Sequence, residues 1–94
     1  MEITKMLTIS NGHVSDDTWQ RLAREAEGET NKMPMAVYEK GNYGYLISCA
    51  CMYNEENEGI PDDLLLCMTL AHECGCMWLC LDDDGELLSC LPTY

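Results

Sequence analysis

Cysteine and aspartate are the residues of this 94-residue chain whose types and spacing best suit chemistry. Cys49, Cys51, Cys74 and Cys76 form two C-x-C pairs, and four thiolates are a familiar zinc ligand set. The spacing is shorter than the two to four intervening residues typical of zinc sites. Cys49 and Cys51 also alternate with Ser48 and Ala50, as inward-facing residues of a strand would. Reduced, buried thiols acting as small hydrophobes are therefore expected, with a cysteine-based zinc module as the alternative. No cofactor is predicted.

Asp82-Asp83-Asp84-Gly85-Glu86 follows an apolar run, an order shared by calcium loops and aspartate-based phosphatases. A calcium loop of the EF-hand kind needs Glu at its twelfth position, where this chain has Thr93. A doubly wound phosphatase domain needs more chain than this. His13 and His72, the only imidazoles, read as a polar turn residue and an exposed helix residue. That reading is preferred to a Cys–His pairing, whose members would meet in space and not in sequence. With no convergent acid, base and nucleophile, the chain is read as non-enzymatic.

The carboxylates make better sense as a surface. Net charge is −12, from 17 Asp and Glu against 5 Lys and Arg. Residues 1–40 hold seven acids and all five bases, whereas residues 41–94 hold ten acids and no base. The second half cannot neutralise itself by internal ion pairs. Direct nucleic-acid binding is not expected, because phosphate contacts need Lys and Arg. A basic protein groove that itself binds nucleic acid is the favoured partner. Acidity serving only solubility is the plainer reading beside it.

At 47% hydrophobic residues, the chain is rich enough in apolar side chains to fold, and its length suits one domain over 1–94. Met1-Glu2-Ile3-Thr4-Lys5 has no export pattern, and no run approaches the roughly 18–20 apolar residues of a membrane span. A cytoplasmic location in a bacterial host is expected, with no membrane partner.

The elements that must position these groups follow from periodicity. Met6–Ser10 reads as a strand closed by the turn signal Asn11-Gly12. Ser15 can cap a helix whose apolar face is Trp19, Leu22, Ala23 and Ala26, ending near Gly28. Residues 35–38 and 45–52 flank Gly41-Asn42-Tyr43-Gly44 as a hairpin. Asn54–Gly59 is an acidic loop, and Ile60-Pro61-Asp62-Asp63 opens a second helix. Its core face is Leu64, Cys67, Met68 and Ala71, while Leu65, Leu66 and Leu70 widen the apolar surface enough to suit a homodimer. Cys76–Leu81 is a buried strand, and Leu87–Cys90 suits a short C-terminal edge strand.

Strand, helix, strand, strand, helix, strand predicts an α+β, ferredoxin-like βαββαβ sandwich: an antiparallel sheet with two helices on one face. In that topology strands one and two oppose strands three and four. One edge would then gather Glu25, Glu27 and Glu29; Glu55, Glu56, Glu58, Asp62 and Asp63; and Asp82, Asp83, Asp84 and Glu86. Tyr43 and Tyr45 in the hairpin become interface anchors if they are exposed beside those acids. Otherwise the tyrosines and Trp78 are packing residues.

Tyr38-Glu39-Lys40-Gly41-Asn42-Tyr43-Gly44, Ile60-Pro61-Asp62-Asp63-Leu64, Gly75–Asp82 and Leu91-Pro92-Thr93-Tyr94 together resemble one family. Its members are small acidic proteins of unknown function carried on bacterial conjugative elements and phages. The resemblance spans most of the chain and is least over residues 27–34 and 53–58, and Met77 stands where an acidic residue is expected. It supplies no catalytic residues. It implies the company of antirestriction and anti-CRISPR proteins, several of which mimic DNA. The expectation is a protein that occupies the basic groove of a host defence nuclease. Its partner-binding residues would be Asp82, Asp83, Asp84, Glu86, Glu55, Glu56, Glu58, Asp62, Asp63, Tyr43 and Tyr45.

Overall fold

The computed structural model describes residues 1–29, 32–41, 43–55 and 57–94. Strand β1 (Met6–Ser10) leads through a 3₁₀ turn at Asn11–His13 to helix α1 (Asp16–Ala26). The hairpin strands are β2 (Val37–Lys40) and β3 (Gly44–Ser48); a second 3₁₀ turn (Ala50–Asn54), helix α2 (Asp62–Glu73) and strand β4 (Trp78–Asp82) complete the order.

Local chemistry sets the helix ends. The Ser15 hydroxyl accepts the Thr18 N–H at the start of α1, and Asp16 and Asp17 lie at the positive end of its dipole. Leu64, Cys67, Met68 and Ala71 are the buried face of α2. They meet Ile9, Leu22, Ile47, Leu79 and Leu81, none of which is measurably exposed. Leu65 and Leu70 pack against this core too, leaving Leu66 as the exposed leucine of the helix.

The sheet order is β1-β4-β3-β2, which departs from the expected ferredoxin-like arrangement. β4 lies inside the sheet, parallel to β1 and antiparallel to β3. The cause is where β3 stops. The sequence reads as extended through Met52, but the strand ends at Ser48 and a 3₁₀ turn follows. Residues 49–61 are then free to travel back along the molecule, since an extended chain covers about 3.3 Å per residue. Helix α2 therefore begins beside the first turn of α1, where the Asp63 carboxylate accepts the Ser15 N–H at 2.7 Å. It descends to the end of the sheet where β3 finished, and Cys49 N–H donates to Met77 O at 2.7 Å there. β4 sets out in the direction opposite to β3.

The expected C-terminal edge strand does not form. Residues 87–90 make no ladder and belong to a tail that turns back over the first 3₁₀ turn. Ser10 N–H donates to Glu86 O, and Tyr94 N–H donates to Gly12 O, both at 2.9 Å. Gly85 makes this return possible: a Cβ there would lie 2.3 Å from the Ile9 carbonyl carbon and oxygen. Any side chain would push the tail off β1.

Candidate functional site

The corrected topology redistributes the acids. Asp82 ends β4 beside Gly44, whereas Ser48, which leads toward Glu55 and Glu58, sits beside Trp78 at the other end of the sheet. The single acidic edge expected from an antiparallel order is therefore not formed. Glu55 closes the second 3₁₀ turn in a left-handed conformation, φ 57°. Gly59 lies against the Lys32 carbonyl and accepts a 3.4 Å bond from Arg21, so this segment borders α1. Glu55 and Glu58 are exposed there; Glu56 lies outside the described residues. Asp62, exposed at the start of α2, lies instead beside the first turn of α1, the end of the molecule at which β4 also finishes.

Asp63 is committed internally. Its carboxylate accepts the Ser15 N–H at 2.7 Å, the Thr18 hydroxyl at 2.7 Å and the Leu64 N–H at 2.9 Å. Burial pushes its pKa up, but the Ser15, Thr18 and Leu64 hydrogen bonds together outweigh burial and hold it below the ordinary value. Three donors leave it little capacity to bind a partner.

Asp82, Asp83 and Asp84 remain together in the turn after β4, with Asp83 and Asp84 exposed. Lys40 at the end of β2 pairs with Asp82 at 2.9 Å. The Lys40 hydrogen bond, helped by the Asp84 N–H, lowers the Asp82 carboxyl to about 2. Asp83 is shifted the other way, first by local desolvation and then by its hydrogen bond with Asp82 and the charges of Asp82 and Asp84. Glu86 is exposed just beyond the turn. Tyr43, two-thirds exposed at 66%, precedes Gly44, the residue that pairs with Asp82. Tyr43 thus stands beside the acids, but Tyr45 does not. The pleat turns Tyr45 under α1, where its ring meets Trp19 edge-on at 4.8 Å.

The register reveals a second surface that sequence patterning did not signal. Leu7, Ile9, Leu79, Leu81, Tyr45, Ile47 and Val37 face the helices. The alternate residues form two rows on the opposite face: Thr8, Cys80, Leu46 and Tyr38, then Met6, Trp78 and Ser48. Met6, Leu46, Trp78, Tyr38 and Cys80 neither belong to the helix-covered core nor pack against it, and of these Cys80 alone is fully buried, with Leu46 and Trp78 half-buried. Met6 and Tyr38 are about half exposed, at 46% and 55%, and the Tyr38 and Trp78 rings lie 6.2 Å apart. An unbroken apolar run such as Cys76–Leu81 reads as buried on both faces; here only the Leu79 and Leu81 side meets the helices.

The cysteines do not assemble a four-thiolate centre. Cys49, Cys51 and Cys76 are buried while Cys74 is exposed. Among the described residues, the one group of potential ligands within 4.8 Å of one another is Asp82, Asp83 and Asp84. Burial, with the Asp63 charge behind it, pushes the Cys67 thiol up to about 12, and burial lifts Cys49 to about 12 as well. In native protein at neutral pH, a thiol reagent is expected to titrate Cys74 and Cys90 rapidly, and the other five only after denaturation. Fast reaction of Cys67 or Cys49 would contradict this placement.

His13 corrects another expectation. It is 1% exposed, not a solvated turn residue, and both ring nitrogens contact the C-terminal tail. The Cys67 thiol points at its backbone carbonyl at 3.8 Å, and both ring nitrogens are engaged by the tail, so these two form no Cys–His dyad. His72 is half-buried, with its ring edge-on to Tyr53 at 4.6 Å.

Two helices on one side of a four-stranded mixed sheet, with no helix among the described residues on the other side, define a small two-layer α+β protein. Residues 6–94 match the model for the C-terminal domain of a family of unknown function, DUF5983, and the chain belongs to that family. Searches of curated proteins and of solved structures gave no significant match. Among the described residues, no helix is long and apolar enough to cross a membrane.

Proposed function

We propose that this protein is a non-enzymatic interaction protein that binds the basic, nucleic-acid-binding groove of another protein. Its resemblance to proteins of conjugative elements and phages makes a host defence nuclease of the restriction or CRISPR kind the proposed target. The observation that carries the reading is the turn Asp82-Asp83-Asp84 beside exposed Tyr43, within a stretch of chain that has no Lys or Arg. Asp83 and Asp84 would stand in for phosphates, while Asp82 is partly spent on Lys40. Glu86 extends the charge beyond the turn. Glu55 lies toward the opposite end of the sheet, so contact centres on the β4 turn and not on the long anionic edge expected from the sequence.

Carboxylates of this kind chiefly speed association and make it salt-dependent, while a buried aromatic slows release. Pull-down of purified restriction and CRISPR effectors is expected to succeed at low salt and fail at high salt. Asp82→Ala, Asp83→Ala and Asp84→Ala combined should weaken capture by at least about tenfold and abolish inhibition of nuclease cleavage. Capture that ignores salt, or full inhibition by the triple variant, would refute mimicry.

A further inference from the structure

The open face of the sheet has no assigned role, and its composition is unusual for a surface bathed in water. Met6, Trp78, Leu46 and Tyr38 make a contiguous apolar patch across all four strands. Isolated apolar side chains on a surface are ordinary, but a contiguous patch rimmed by polar groups marks a contact site. We infer that this face docks an amphipathic helix of a different protein, one carrying Lys or Arg at the end that meets Asp82–Asp84.

Shape favours a single helix. Four strands at about 4.8 Å spacing and five residues at about 3.3 Å rise give a face about 15 Å by 16 Å. One helix of three turns, about 16 Å long and 10–12 Å wide, covers that footprint. Packing a second helical layer here would complete the sandwich that α1 and α2 begin on the other side.

Charge decides what the helix must carry. Among the described residues of this face, the one base is Lys40, and it is already paired with Asp82 at 2.9 Å. That hydrogen bond raises the pKa of its ammonium. The upper end of the patch therefore offers uncompensated Asp83 and Asp84, while the rows below offer rings and aliphatic groups. A helix with an apolar stripe and basic residues at one end satisfies both. A second copy of this chain does not, because it brings a further net −12, and the apolar stripe of its own basic-bearing helix α1 is already turned to its core. Tyr38 and Trp78 are the natural anchors, since aromatic rings supply large contact area at small entropic cost.

This inference shares with the proposed function only the premise of a basic partner, and it holds for partners other than nucleases. The probe is a synthetic amphipathic helix of Leu and Lys, compared with a Ser–Lys peptide of equal charge and with a Leu–Glu peptide. Binding to the intact chain is followed by NMR titration. Expected are shifts of the Trp78 indole N–H and of the Met6, Leu46 and Tyr38 amides. The Ser–Lys peptide should bind at least about tenfold more weakly, and the Leu–Glu peptide should give no shifts. Met6→Ser with Tyr38→Ser, both at exposed positions, should weaken Leu–Lys binding about tenfold while leaving thermal unfolding unchanged.

Equal binding of the two Lys peptides would overturn the inference, as would shifts confined to the acidic turn or no binding at millimolar peptide. Concentration-dependent dimerisation that buries Trp78 would assign the face to a second copy instead and overturn it too. If Met6→Ser with Tyr38→Ser leaves Leu–Lys binding unchanged while the triple aspartate variant removes nuclease inhibition, docking on the face fails and the proposed function stands. The opposite pattern condemns mimicry alone.

Discussion

Replacing His13 by Ala is expected to lower unfolding free energy by about 3–4 kcal/mol and to free the C-terminal tail. The Leu88 N–H donates to Nε2 at 2.9 Å, so that nitrogen carries no proton. Nδ1–H then donates to the Pro92 carbonyl at 2.8 Å, which fixes a neutral ring in one tautomer. The imidazole is a pin through the loop made by residues 88–92. Removing it leaves the part-buried Leu88 N–H and Pro92 carbonyl without this partner and opens a hole under Leu88 and Leu91, which pack on or belong to the core. Urea unfolding gives the stability change; hydrogen exchange at Leu88 and Tyr94 gives the tail. His13→Asn, which can keep the Pro92 bond, should recover part of the loss. A loss below about 1 kcal/mol, with exchange unchanged at both amides, would show that the ring is not the fastening.

Asp63→Ala is expected to cost about 2 kcal/mol, because one carboxylate closes the first turns of two helices. Ser15, Thr18 and Leu64 each donate to it, and the Ala variant leaves those donors to water or to nothing. The same carboxylate makes stability depend on pH. Its folded pKa lies below its unfolded one, so the folded state binds fewer protons in the acid range. Its contribution is complete above the ordinary aspartate value of about 3.9 and disappears as pH falls through the depressed folded value. Asp82, held at about 2 by Lys40, acts in the same direction, so the comparison must be made against Asp63→Asn. Wild-type protein should lose melting temperature faster below about pH 4 than that variant, and the two curves should converge in strong acid. Parallel curves would remove Asp63 from the account.

Local signals foretold the elements well and their assembly poorly. Met6–Ser10 and Asp16–Ala26 follow from a β-rich run before Asn-Gly and from Ser15 ahead of two aspartates, all short-range chemistry. The core face of α2 followed from helical spacing in the same way. Strand order depends on pairing across the chain, and one misjudged end was enough to mislead. Cys49 and Ala50 carry β-compatible side chains, yet the backbone turns at Cys49. Reversing β4 then moved the aspartate turn to the end of the sheet opposite the exit of β3, which no local pattern reveals.

At the site, alternation decides what can be read. Tyr43 and Tyr45 are equivalent in composition, but one lies in the turn and the other on the helix-facing side of β3. The Asn11-Gly12 signal placed His13 in a turn correctly, and nothing local says that the tail returns to bury it. A solitary His whose turn is followed by a capped helix offers too little pattern to distinguish a solvated ring from a pin. Trp78 lay hidden for the converse reason: a run apolar on both faces conceals that only one of them has a partner.

The parallel pairing of β1 with β4 has a consequence for how the chain is made. Met6 and Leu7 find their neighbours in Trp78 and Leu79, which follow both helices and the hairpin in the chain. β1 therefore has no strand of this sheet to pair with until β4 has been synthesised. The β2–β3 hairpin and both helices can form earlier from near neighbours, but the sheet closes last and across the widest separation of its strand pairs. Until then the strip from Met6 to Ser10 is an unpaired edge, open to chaperones or to another nascent copy.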